Sequence, residues 1–375
     1  MNKIVSQVDP NGLAEFSVVY TDRSLNHMSQ SFQGVMKQIS STLKSVYNAQ
    51  HVAVVPGSGT FAMEAVARQF ANDEHCLIVR NGWFSFRWSQ ILEMGKIAQS
   101  TIVMKAQRES DVSQSPFAPA PIDAVVAKIL EEKPAVVFAP HVETSSGIIL
   151  PKAYMQAIAK AVHEVGGLFV LDCIASGTIW VDMQEIGVDV LISAPQKGWS
   201  GSPCCGLVMM NDKAQQRLEE TSSSSFACDL KKWSQIMQAY EQGGHAYHAT
   251  MPTDSLARFA KVMSETQEYG FDKLKDAQQQ LGDKVRVLLA DKGIKSVAAD
   301  GFGAPGVVVS YTADSGFQNG SKFVAQGMQI AAGVPLQCDE PEDFCTFRIG
   351  LFGLDKLYDV DSAVETFKET LESLI

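Results

Sequence analysis

The chain has 375 residues, 46% hydrophobic and 19% charged with 28 glycines, a balance that excludes disorder for most of its length. Forty-two acidic against 31 basic residues leave a net charge of −11, which excludes a general binder of nucleic acid or anionic membrane, because phosphate backbones are held by lysine and arginine displacing counterions. The expected partner is a small molecule, and at about 100 to 200 residues per domain the length predicts two domains.

The opening MNKIVSQVDPNGLAEF carries a polar residue every few positions and lacks the apolar core of a secretory signal. From about residue 50 to 210, apolar runs alternate with amphipathic stretches: HVAVVP then FAMEAVARQFA, CLIVR then a helix over Ser89 to Gly95, AVVFAP then YMQAIAKAVHEVG, followed by LFVLD, DVLISA and GLVMM. Continuously apolar strands in this rhythm predict an α/β fold whose mainly parallel sheet is covered by helices on both faces, with ligands at the carboxyl ends of the strands. Loops expected to converge there are PGSG, NGW, HVETSSG and QKGWSGSP, whereas Ala106 to Pro121 and Ser222 to Ser225 read as surface loops. After Met251-Pro252 the pattern predicts helices over Asp254 to Gly270 and onward to Lys292, short strands at GVVVSY and FRIGLF, and a closing helix from Asp361.

The most apolar stretch, Gly167 to Val181, contains Asp172 and is shorter than the roughly 20 residues that span a bilayer. Seven scattered cysteines without CxxC spacing indicate neither a disulfide framework nor a zinc site. They read as reduced thiols, so a soluble, cytoplasmic protein is expected. His245 and His248 have no carboxylate or cysteine near them at ligand spacing, and no metal site is expected.

Lys197 directly follows the strand DVLISA, and Asp172 ends the strand LFVLD. A lysine at a strand end is ordinarily solvated, but a carboxylate at the end of a buried strand needs a partner or an ionisation role. Together they are what a pyridoxal phosphate enzyme requires: an amine to hold the aldehyde as a Schiff base and an acid to keep the pyridine nitrogen protonated. Between the strand HVAVV and the next helix, Gly57, Ser58, Gly59 and Thr60 form a turn whose N–H groups and helix dipole suit a phosphate. It is neither a Walker loop nor the dinucleotide fingerprint, since Ala62 stands where a third glycine is needed.

The strings HVETSSGIILP and VLDCIASGTIWVDMQEIGVDVLISAPQKGWSGSPCCGLVMM resemble the class V, fold-type I pyridoxal phosphate aminotransferases, in particular the alanine–glyoxylate and serine–pyruvate group, over about Asn26 to Asp361. The resemblance implies a large cofactor domain over 26–253 with a seven-stranded-type sheet, a small C-terminal α/β domain over 254–375, and an N-terminal arm over 1–25. It makes Lys197 the Schiff-base lysine, Asp172 the partner of the ring nitrogen, Ile174 a ring contact, Thr144 a donor to the phenolic oxygen, and Gln196 with Gly57 to Thr60 the phosphate site. The ring-stacking aromatic falls on Phe84, with Trp83 beside it as the other choice, and Thr60 stands where the nearest relatives have histidine. Tyr247 and Thr250, in AYHATMP, would bind the phosphate of the other subunit, which implies an obligate homodimer.

Arg348, in CTFRIGLFG, matches the arginine that binds the substrate carboxylate; the alternative is a structural ion pair with Asp343 or Asp355. The chain departs from the family at EFSVVYTDRSLNHMSQSF, where Tyr20, Arg23 and His27 either line a different substrate pocket or form a surface arm. Transamination between a small, alanine- or serine-like amino acid and a glyoxylate- or pyruvate-like 2-oxo acid is the leading function. The competitors are a lyase on the same cofactor, such as a cysteine desulfurase using Cys338, and a non-catalytic protein that only binds cofactor or ligand.

Overall fold

A computed structural model describes residues 7–375, so the start of the arm expected over 1–25 lies outside the described residues. Seven strands, β1 (His51–Pro56), β2 (His75–Arg80), β3 (Ser100–Lys105), β4 (Val136–Pro140), β5 (Leu168–Asp172), β6 (Val190–Ser193) and β7 (Cys205–Met210), form one sheet in the order β1-β7-β6-β5-β4-β2-β3. From β3 to β6 all neighbours are parallel, and β7 runs antiparallel between β6 and β1. The strands are buried along almost their whole length, as continuous apolar runs require when helices cover both faces.

The principal helices of this half are α1 (Gln30–Tyr47), α2 (Gly59–Phe70), α3 (Trp83–Met94), α4 (Ile122–Glu132) and α5 (Lys152–Glu164). The helix expected over Ser89 to Gly95 therefore starts six residues earlier, and NGWFSFRW is mostly helix rather than loop. The stretch Ala106 to Pro121 is also not a simple surface loop. It folds into a short antiparallel pair whose Phe117 is fully buried, with its N–H on the Val297 carbonyl at 2.7 Å.

Downstream, α6 (Thr253–Tyr269) and α7 (Phe271–Asp291) precede a three-stranded antiparallel sheet of β8 (Val307–Tyr311), β9 (Ala331–Ala332) and β10 (Thr346–Gly350), in the order β8-β10-β9, and α8 (Val360–Glu372) closes the chain. The main core extends through Leu256, Phe259 and Met263 of α6, whereas Leu274, Leu281 and Val285 of α7 pack with Phe347, Ile349 and Phe367 in a second core. A third cluster joins Val142 and Ile148 to Val307 and Val309, so the small sheet is seated on the loops at the carboxyl edge of the large one. No helix of the described residues is long and apolar enough to cross a membrane.

Candidate active site

A cavity of about 370 Å³ opens at that seam. The turn after β1 supplies its first wall. Ser58 is the N-cap of α2, but its side chain makes no capping hydrogen bond, so its hydroxyl and the first N–H groups of the helix remain uncommitted. Gly59 is required by close approach, because a Cβ there would come within 2.6 Å of Ile174 Cδ1.

Asp172 ends β5 at the cavity floor, where its Oδ1 accepts the Ile174 N–H at 2.9 Å. Burial pushes its carboxyl up to about 7, with Glu143 adding to the rise and the Ile174 N–H and Arg87 opposing it. Such a group favours a cationic or proton-bearing partner. Past β6 the chain turns tightly, with the Gly201 N–H on the Pro195 carbonyl at 2.8 Å and the Ser200 N–H on the Lys197 carbonyl at 3.1 Å. Gly198 lets this turn lie against the loop after β5, since a Cβ would sit 1.9 Å from the Gly177 carbonyl oxygen. Lys197 Nζ lies 5.0 Å from the centre of the Phe352 ring, and burial, then the charge of Arg348, hold its ammonium below the ordinary lysine range. Beside it, the buried Gln196 Oε1 has no hydrogen-bond partner.

The aromatic wall is positioned from a distance. Glu143, fully buried, accepts the N–H groups of Phe84 at 3.2 Å, Ser85 at 2.8 Å and Ser145 at 3.1 Å, and the hydroxyls of Ser85 and Ser145 at 2.7 and 2.8 Å. The Trp83 N–H donates to Ser145 Oγ at 2.8 Å. The HVETSSG loop thus caps α3 and compensates a buried charge with helix N–H groups. Phe84 faces the cavity and Trp83 does not line it. Arg348 reaches in from β10, its Nε donating to the Ala332 carbonyl at 2.7 Å and its guanidinium 5.6 Å from the Phe84 ring centre. The ion pair weighed as its alternative is not formed: Asp343 accepts from Ser113 Oγ at 3.1 Å and Asp355 pairs with Lys356 at 3.1 Å.

Of the residues singled out from sequence, Ser58, Gly59, Thr60, Phe84, Thr144, Asp172, Ile174, Gln196, Lys197 and Arg348 line this one cavity, with Gly57 in the adjoining turn. Tyr247 and Thr250 do not. They lie on the surface, hydroxyl to hydroxyl at 3.2 Å, and the Tyr247 ring rests beside His27. Tyr20 and His27 hydrogen-bond each other at 3.0 Å in the same cluster and Arg23 is exposed, so none of these three lines the cavity within one chain. Cys338 is buried and its thiol donates to the Arg80 carbonyl. Its pKa is pushed up to about 12 by burial, the opposite of a mobile sulfur nucleophile.

Arg87, Phe352 and Glu143 were missed. Arg87 follows Phe84 by three residues, a spacing that places both on one face once the segment is read as helix.

The residues present fit pyridoxal phosphate: a buried acid that makes no ion pair among the described residues for a ring nitrogen, a lysine amine likewise unpaired for an aldehyde, and a helix N-terminus with uncommitted donors for a phosphate. Sheet order and cavity together define a fold-type I pyridoxal phosphate enzyme. The sequence pattern of "Aminotransferase class-V" matches residues 13–301, and the chain belongs to that family: it is a pyridoxal phosphate-dependent transaminase. It is 28% identical to alanine–glyoxylate aminotransferase 1 of Saccharomyces cerevisiae over 69% of each chain. With 2-aminoethylphosphonate–pyruvate transaminase of Pseudomonas putida it shares 26% identity over 94% of this chain and 90% of the relative. The crystal structure of alanine–glyoxylate aminotransferase from Nostoc sp. superposes with a TM-score of 0.77 at 19% identity, covering 93% of this chain and 89% of that one.

Proposed function

We propose that the chain moves the amino group of a small, alanine- or serine-like amino acid to a glyoxylate- or pyruvate-like 2-oxo acid. The observation that carries this reading is the cavity lined together by Lys197, Asp172 and Arg348, the last forming no ion pair among the described residues. The relatives' names, alanine–glyoxylate and 2-aminoethylphosphonate–pyruvate transaminases, support a small 2-oxo acid as acceptor, and the first supports alanine as donor.

When bound, pyridoxal phosphate supplies an aldehyde carbon that takes up the amino group and a ring that withdraws electrons from the substrate α-carbon. Lys197, its ammonium weakened by burial and by Arg348, releases a proton readily and would serve as the amine that holds the aldehyde and as carrier of the α-proton. Asp172 would supply the negative charge that keeps the ring nitrogen protonated, Phe84 and Ile174 would pack against the ring, Thr144 would donate to the phenolic oxygen, and Gln196 with Gly57, Ser58, Gly59 and Thr60 would hold the phosphate. Incubating the loaded protein with single amino acids tests the reading: alanine or serine should bleach the yellow absorbance and pyruvate or glyoxylate restore it, and indifference to every amino acid overturns it.

Arg348 is assigned to the substrate carboxylate. Arg348→Lys keeps the charge and loses the bidentate fork, so KM should rise for donor and acceptor alike, by about tenfold to a hundredfold, with cofactor retained. Loss of cofactor instead would make Arg348 structural.

We further assign the chain to a homodimer in which Tyr247 and Thr250 complete the partner's phosphate site. Their surface position, away from the cavity of their own chain, supports this. Sedimentation should give a dimer, and a monomer fully loaded with cofactor would overturn the shared site. The division into an arm over 1–25, a large domain over 26–253 and a small domain over 254–375 belongs to the same reading, with α6 as the connecting helix. A cytoplasmic location is supported by seven free cysteines, six of them buried.

A further inference from the structure

Three basic side chains, Arg87, Lys197 and Arg348, line the cavity with the carboxylate of Asp172, and the buried carboxylate of Glu143 behind the Phe84 wall also acts on Arg348 and Asp172. Lys197 and Arg348 have their parts in the reaction, and Arg87 has none. From the second turn of α3, Arg87 reaches to the N-terminus of α2, where its Nη1 donates to Thr60 Oγ1 at 2.9 Å, and its guanidinium carbon lies 5.1 Å from the centre of the Phe84 ring. A guanidinium has five N–H donors, and the bond to Thr60 leaves the others for a ligand. Phe84 is therefore flanked by two guanidinium groups, Arg87 tied to the turn after β1 and Arg348 standing on the small sheet. Neither arginine forms an ion pair among the described residues, so each is open to an anion.

We propose that Arg87 is the cation of the phosphate cradle, binding the phosphate of pyridoxal 5′-phosphate and making the site discriminate it from unphosphorylated pyridoxal. The proposal rests on the assignment of the turn Gly57 to Thr60 to the cofactor phosphate. The other donors of that turn, helix N–H groups and the Ser58 and Thr60 hydroxyls with Gln196, are neutral, so a dianion placed there lacks a compensating charge until Arg87 supplies one. The tether to Thr60 also fixes the fork before the ligand arrives, which lowers the entropic cost of binding.

A purely structural Arg87, acting by steadying Phe84, would affect the ring and not the phosphate. Titrating cofactor-free protein separately with pyridoxal 5′-phosphate and with pyridoxal, followed by tryptophan fluorescence, separates the two, because both ligands reach Lys197 and only one carries the anion. Arg87→Met should raise the Kd of pyridoxal 5′-phosphate by about tenfold to a hundredfold and leave that of pyridoxal unchanged. Equal losses for both ligands, or no loss for either, overturn the proposal. If Arg87→Met does not fold, Arg87→Lys is read in the same way, with a smaller loss still confined to the phosphorylated ligand. A wild-type protein that binds pyridoxal 5′-phosphate no better than pyridoxal overturns the phosphate reading of the turn, and the proposal with it.

Discussion

Lys197→Ala is expected to lower turnover by about four orders of magnitude, the upper end of what a positioned proton-transfer group contributes, and to leave the protein without its yellow absorbance. Lys197 is the lysine lining the cavity, and its turn is locked by the Pro195–Gly201 hydrogen bond and by the contact of Gly198 with the Gly177 carbonyl. Lys197→Arg should be no better, because a guanidinium does not deprotonate and cannot act as nucleophile or base. Borohydride reduction of the loaded wild-type protein followed by peptide mapping checks the assignment. Label on any other lysine means that the proton carrier lies elsewhere.

Asp172→Asn should cost about a hundredfold to a thousandfold in turnover, the effect of removing one preorganised charge from a water-poor site. The same substitution should stabilise the cofactor-free protein, and the sign follows from the pKa. Burial raises the folded-state value from 3.8 to about 7, so between those values the folded state binds more protons than the unfolded one. The wild-type carboxyl accordingly costs nothing below the unfolded value and costs progressively more as pH rises through about 7. Asparagine removes that cost. Thermal unfolding of both cofactor-free proteins should show the variant ahead above neutrality, by an amount on the order of a few kcal/mol, and the gap closing in acid. A variant less stable at high pH would mean that Asp172 holds the fold through its charge rather than awaiting a partner.

The central strands were legible because each is a short, continuously apolar run bounded by turn residues, a signal contained within the segment itself. HVAVVP, LFVLD and DVLISA became β1, β5 and β6 almost to the residue. Lys197 and Asp172 were legible for the same reason, since parallel strands bring their carboxyl ends to one edge whatever lies between them in sequence. Family likeness added the cofactor to that placement.

The start of α3 was not legible, because its cap is supplied by Glu143 and Ser145, some 60 residues further along the chain, and no local pattern announces a carboxylate arriving from so far. Read as a loop, the segment also concealed Arg87, which shares a face with Phe84 only when the backbone is helical. Phe117 was assigned to the surface for a similar reason: the Ser- and Pro-rich residues around it suggest solvent, while its burial depends on pairing with Val297. Sequence by itself thus determined the apolar strands and the reactive residues at their ends, where the cause is local. Only the tertiary structure decided the capping of α3, the seating of Arg348 on the Ala332 carbonyl and the tie between Arg87 and Thr60, because each depends on groups distant in sequence that folding brings within hydrogen-bonding range.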